Sequence, residues 1–126
     1  MSRAGLLSCV PCLVLLIALA LAACASRPPP LDVSTPADQE VRVSLRDDFT
    51  IRASPDRVRA GRVKFTATNE GSTMHGFIIE GIGIEQFIAP GTSLTQETVM
   101  QSATWVLYCP VTDHRERGMQ TQVVVG

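Results

Sequence analysis

From residue 41 to residue 126 the sequence predicts an all-β sandwich, and three observations carry that expectation. Apolar side chains recur with a period of two. Clusters of Gly, Pro, Asn and Asp interrupt the pattern about every 8 to 12 residues, as turns do between short strands. No stretch beyond residue 40 follows the helical period of about 3.6 residues. Seven or eight short strands of this kind are what two packed antiparallel sheets require.

Each strand can be justified in order. Val41, Val43 and Leu45 alternate with Arg42, Ser44 and Arg46, so one face is buried and the other wet. Asp47-Asp48 marks a turn, after which Phe49, Ile51 and Ala53 alternate with Thr50, Arg52 and Ser54. Ser54-Pro55-Asp56 and Ala60-Gly61 are turn signals before the next strand, where Val63, Phe65 and Ala67 alternate with Arg62, Lys64, Thr66 and Thr68. Asn69-Glu70-Gly71 ends that strand, and residues 74–80 form another that carries His75. Residues 81–85 and the stretch up to Pro90-Gly91 read as loop with one helical turn near Glu85-Gln86. Strands at 93–100, 104–109 and 119–125 complete the domain. Trp105 and Leu107 share a face with Cys109, and plain core packing is the expected role of Trp105.

The N-terminal residues have a different character. Arg3 is followed by the apolar run from Leu13 to Ala22, which is shorter than the roughly 20 residues a membrane-spanning helix needs. Leu21-Ala22-Ala23-Cys24 resembles the lipobox of bacterial lipoproteins, in which cleavage precedes a cysteine that then receives a lipid. The alternative is an ordinary signal peptide cut near Ala22 or Ala23, leaving Cys24 unmodified. The expected organisation is a signal peptide at 1–23, a lipidated Cys24 with a Pro-rich tether at 24–39, and one domain at 40–126. Such a protein is exported and lipid-anchored on the periplasmic or extracellular side of a bacterial membrane. Ser26 does not say which membrane receives it.

Processing changes the cysteine arithmetic. The chain has four cysteines, of which Cys9 and Cys12 leave with the leader and Cys24 is the lipid acceptor. Cys109 is then the sole free thiol of a protein sent to an oxidising compartment, either a stray reactive group or a protected ligand. Only one of the 11 basic residues lies in the leader, so 12 acidic residues leave the mature chain near a charge of −2. That balance argues against nucleic-acid binding and against a polybasic membrane patch.

The chemistry is concentrated near the C-terminus. Tyr108-Cys109-Pro110 runs through His114 to Gly118-Met119, with four residues between Cys109 and His114 and four between His114 and Met119. His75 is the other of the two histidines. Singly, each has an ordinary explanation: a structural His75, a solvated His114, a core Met119 and a small buried Cys109. Together, two imidazoles, one thiolate and one thioether are the ligand set of a blue-copper centre. Thiolate and thioether suit Cu(I), imidazole suits both oxidation states, and a rigid site lets the metal change state with little ligand movement.

On these residues the chain resembles the cupredoxins, the family that includes plastocyanin, azurin and amicyanin. The resemblance runs from Val41 to Gly126 through Ala60-Gly61-Arg62-Val63-Lys64-Phe65, Asn69-Glu70-Gly71, His75, Ala89-Pro90-Gly91 and the Cys109 to Met119 cluster. It implies a Greek-key sandwich of eight strands, with one copper per chain held by His75, Cys109 and His114 and axially by Met119. It also implies that His114 reaches the surface and passes the electron. Two departures stand out. Gly76 follows the first histidine where many relatives carry Asn or Asp, so a side-chain tie between the ligand loops is missing unless Asn69 supplies it. Gln101-Ser102-Ala103-Thr104-Trp105 replaces the Pro-Gly-x-Tyr that many relatives have before the cysteine.

Electron carriage between a redox donor and a redox acceptor, by a monomer, is the first expectation. Arg115, Glu116 and Arg117 would then make a charged, salt-sensitive docking rim beside His114. Copper storage or delivery is the alternative, although this chain has few Met and a preset loop. Enzyme chemistry is not expected, because multicopper oxidases and nitrite reductases need further histidines and a binuclear site needs a second loop cysteine.

Overall fold

The structure, a computed structural model, describes residues 37–83 and 85–126. The expected leader, Cys24 and most of the expected tether therefore lie outside the described residues. Nine strands and no helix organise what is described: β1 (Gln39–Leu45), β2 (Ile51–Ser54), β3 (Arg57–Val58), β4 (Gly61–Asn69), β5 (His75–Ile79), β6 (Gln86–Ile88), β7 (Ser93–Met100), β8 (Ala103–Tyr108) and β9 (Gln120–Val125). They form a four-stranded sheet in the order β2-β1-β4-β7 and a five-stranded sheet in the order β3-β9-β8-β5-β6.

The period of two builds the first sheet. Val41, Val43 and Leu45 of β1 face inward, as do Val63, Phe65, Ala67 and Asn69 of β4. Each such side chain removed from water contributes roughly 1.5–3 kcal/mol when it is a Val, Leu or Phe. β1 and β4 pair in parallel, with Val41 opposite Phe65 and Leu45 opposite Asn69. Parallel neighbours cannot be joined by a hairpin. The chain instead returns along β2, crosses to the second sheet as β3 beside β9, and comes back as β4. Phe65 and Phe77 join the two inner faces with ring centroids 6.0 Å apart.

β5 departs from alternation, since all five of its residues are buried. Both of its edges are paired, Ile78 with Tyr108 of β8 and His75 with Ile88 of β6. β6 replaces the helical turn expected near Glu85-Gln86. Its three residues are too few to display a period, and they become a strand because the edge of β5 offers backbone partners. The second strand begins at Ile51 rather than Phe49, which sits in a turn with φ of 59°. The two-residue β3 adds an element that was not expected, and β1 starts at Gln39, two positions ahead of the expected start at Val41.

One end of the sandwich collects the turn at 46–50, the loop at 70–74, the end of β6 and the loop at 109–119. Backbone bonds tie it together: Glu70 N–H donates to Leu45 O at 2.9 Å, Asn69 N–H to Thr92 O at 2.9 Å and Gly91 N–H to Asn69 O at 3.0 Å. The sole described free cysteine and both histidines lie there.

Candidate metal centre

His75, Cys109 and His114 each place a donor atom within 4.8 Å of the other two. His75 opens β5, Cys109 directly follows β8, and His114 stands in the loop between β8 and β9. His75 and Cys109 are fully buried and His114 is half-buried. The two imidazole centroids are 5.2 Å apart, and Cys109 Sγ is 3.5 Å from His114 Nδ1.

His75 is held from its far side. Its Nε2 lies 3.0 Å from Asp47 Oδ1, across the turn that follows β1. Asp47 also accepts from the N–H and hydroxyl of Ser72, both at 2.7 Å, and from the N–H and hydroxyl of Thr73 at 3.2 and 2.7 Å. The Ser72 hydroxyl first, then the Ser72 N–H and the Thr73 hydroxyl, hold the Asp47 carboxyl well below the usual carboxylate range. An ionised carboxylate only accepts, so this contact is a hydrogen bond when the proton is on Nε2. Its Nδ1 is buried without a hydrogen-bond partner among the described residues. A buried polar atom without a partner is uncommon in a folded protein and calls for an explanation. A bound metal ion supplies one, because the free lone pair is a ligand.

Cys109 is positioned by two backbone contacts. Its N–H donates to Met119 O at 3.1 Å, which extends the β8–β9 ladder by one step, and its Sγ accepts from Gly76 N–H at 3.2 Å. A Cβ on Gly76 would stand 2.7 Å from Pro110 Cδ and 2.8 Å from Pro110 Cγ. The missing Asn or Asp after the first histidine is thus accounted for by the Pro110 ring, which occupies that space. Asn69 makes a different tie. Buried at the end of β4, its Nδ2 donates to Thr73 O and Ile88 O, both at 2.8 Å, and its Oδ1 accepts from Gly71 N–H at 2.9 Å. It joins the loop before His75 to β6 and does not reach the Cys109 loop through these bonds.

The 109–119 loop is folded on itself. His114 N–H donates to Val111 O at 3.0 Å, Arg117 N–H to Asp113 O at 3.0 Å, and Met119 N–H to His114 O at 2.9 Å. Met119 is fully buried, with its backbone tied to both Cys109 and His114. The His114 ring meets the Phe49 ring edge-on at 5.0 Å, and the Arg117 guanidinium covers Phe49 at 3.7 Å. Burial, and next the nearby His75, push the His114 imidazole below its ordinary value, which keeps its lone pair free near neutrality.

The cationic rim is less open than the sequence suggests. Arg115 bonds Glu80 at 3.0 Å and Gln120 at 3.3 Å and lies 4.0 Å over the Tyr108 ring. Arg117 stands 3.7 Å from Asp113 as well as on Phe49. Trp105 is half-buried against the core, and its Nε1–H donates to Gln101 O at 3.0 Å. Asp47, Phe49 and Pro110 are the site residues that sequence reasoning missed. Asp47 reads as turn punctuation and Phe49 as a strand residue, and no local pattern marks a partner that only folding brings near.

One cysteine sulfur, two imidazoles and a neighbouring thioether residue are a soft and borderline donor set that suits copper. No protein-family model matches the chain, and no curated protein matches it in sequence. Solved structures do match in shape. Dithionite-reduced auracyanin from the photosynthetic bacterium Roseiflexus castenholzii superposes with a TM-score of 0.57 at 15% identity, covering 72% of this chain and 99% of that one. Auracyanin B gives 0.59 at 11% identity, covering 73% of this chain and 91% of its own. A multicopper oxidase matches over 68% of this chain but only 40% of its own length, with a TM-score of 0.51 and 17% identity. At these identities the likeness establishes architecture: the chain has the cupredoxin fold of the auracyanins.

Proposed function

We propose that the chain is an exported carrier of single electrons, in which His75, Cys109 and His114 would hold one copper with Met119 as the fourth ligand. The observation that carries the proposal is the buried Nδ1 of His75, without a hydrogen-bond partner among the described residues, in a three-donor cluster with Cys109 and His114. Copper bound there supplies a one-electron couple that no side chain of the cluster offers alone. The protein's part is to hold the donors still. Asp47 fixes one imidazole, Gly76 N–H steadies the sulfur, and the self-bonded loop fixes the other imidazole. A site that does not rearrange when charge changes exchanges electrons with little reorganisation.

His114 is the one of the four proposed ligands that is not fully buried, so it is the proposed exit for the electron toward donor and acceptor proteins. Attachment to a bacterial membrane through Cys24, with a tether up to the domain, places the carrier on the extracytoplasmic side. Fully buried sulfur and a rigid loop support electron carriage over copper delivery, which favours exchangeable, open ligands. The test is an optical and EPR spectrum of the copper-loaded mature domain. An intense thiolate-to-copper band is expected, lost in Cys109→Ala together with tight copper binding. Absence of the band in the wild type overturns the site. Stopped-flow comparison should then show electron exchange that is fast relative to copper transfer to a chelator, and the reverse order would make it a delivery protein.

A further inference from the structure

The strongest unassigned feature is the carboxylate behind the first histidine. Five polar groups converge on Asp47: the donating N–H and hydroxyl of Ser72, the donating N–H and hydroxyl of Thr73, and His75 Nε2 at 3.0 Å. Four of them come from the two residues Ser72 and Thr73, so the loop before β5 is wrapped around one anion. The neighbouring Gly71 shows how closely the groups approach. A Cβ there would overlap Asp47 Oδ1, stand 2.8 Å from Asp47 Cγ and lie 3.1 Å from His75 Nε2. Any side chain at position 71 would therefore push the carboxylate off the imidazole. Both groups of the pair are thereby held in one arrangement, with His75 fully buried and Asp47 partly exposed.

We propose that Asp47 is a positioning residue for the metal centre, which fixes His75 as the Nε2–H tautomer and lowers the reduction potential by placing a fixed negative charge one imidazole away from the ion. The inference rests on the copper reading for its second half only. Its physical basis is that a carboxylate hydrogen-bonded to a ligating histidine makes the imidazole a stronger donor. A nearby anion also favours the more highly charged metal state. Both effects stabilise Cu(II) over Cu(I).

Two measurements test it. In the copper-free wild type, nitrogen-15 shifts of the His75 ring are expected to show the proton on Nε2 and a bare Nδ1. Asp47→Ala should populate both tautomers, and a wild-type proton on Nδ1 overturns the proposal without any variant being needed. In the copper-loaded protein, Asp47→Asn keeps the shape of the side chain and removes its charge. It should retain the visible band and favour Cu(I) by about tenfold, an upward shift of about 59 mV for a one-electron couple. Gly71→Ala should move the potential in the same direction while leaving the carboxylate present. A change below twofold in Asp47→Asn, with the band intact, overturns the charge effect. Absence of the visible band from the wild type would instead count against the copper reading, and the tautomer would still judge Asp47.

Discussion

Gly76→Ala is the perturbation for which the structure supplies most of the answer. The added methyl would stand 2.7 Å from Pro110 Cδ, 2.8 Å from Pro110 Cγ and 3.1 Å from Gln86 O. Two of those atoms belong to a rigid ring and the third to the backbone, so none can swing aside as a flexible side chain would. Overpacking of this kind costs about 1–3 kcal/mol. Against it stands the reduced freedom of the unfolded chain, which favours Ala over Gly by about 0.4–1 kcal/mol at a compatible backbone position. The steric term wins, and a net loss of about 1–2 kcal/mol is expected, roughly 4–8 °C in Tm per kcal/mol for a domain of this size. The assay is denaturant unfolding of the copper-free mature domain as wild type, Gly76→Ala, Pro110→Ala and the double variant. Removing the ring deletes the two closest contacts, so the cycle should show a favourable coupling of about 1 kcal/mol or more. The same displacement should lengthen the Gly76 N–H to Cys109 Sγ bond and shift the visible band of the loaded protein. A Gly76→Ala protein as stable as wild type, or a loss of equal size with and without Pro110, would refute the reasoning.

Asn69→Ala should cost on the order of 2–4 kcal/mol in denaturant unfolding, because it removes three bonds and leaves Ile88 O buried without this partner. Phe65 and Phe87 are strand aromatics of opposite burial, 0% and 59% exposed. Phe65→Ala should therefore cost about 3–5 kcal/mol, whereas Phe87→Ser should stay within about 0.5 kcal/mol of wild type. The Thr66 hydroxyl first, and next Lys64, hold the Glu40 carboxyl below its ordinary value. Its folded value thus lies under its unfolded one, so its contribution is present above pH of about 4.3 and is lost as pH falls through the folded value. Glu40→Gln should flatten the acid side of the stability profile, and an unchanged slope would exclude Glu40 from it.

Much of the fold was legible where a strand has one wet face. Val41 to Leu45 and Val63 to Ala67 announce themselves because water contacts every second residue. β5 and β6 were harder for opposite reasons. β5 is buried throughout, so His75-Gly76-Phe77-Ile78-Ile79 shows no alternation, and β6 is too short to show any. The candidate donors themselves were legible because their side chains have few other uses in combination. The groups that support them were not, since Asp47, Phe49 and Pro110 are ordinary residues for a turn, a strand and a loop.

The sequence alone determined the donor chemistry: two imidazoles, the thiol of Cys109, and a thioether with four residues between it and the second histidine. Those are properties of side chains and hold in any conformation. Only the tertiary structure decided which nitrogen of His75 is free, what fills the space over Gly76, and what rests against His114. Each depends on groups far apart in the chain: Asp47 with His75, Pro110 with Gly76, and Phe49 with His114. Such contacts are set by how two sheets pack and where their loops close, and no local pattern of residues encodes them.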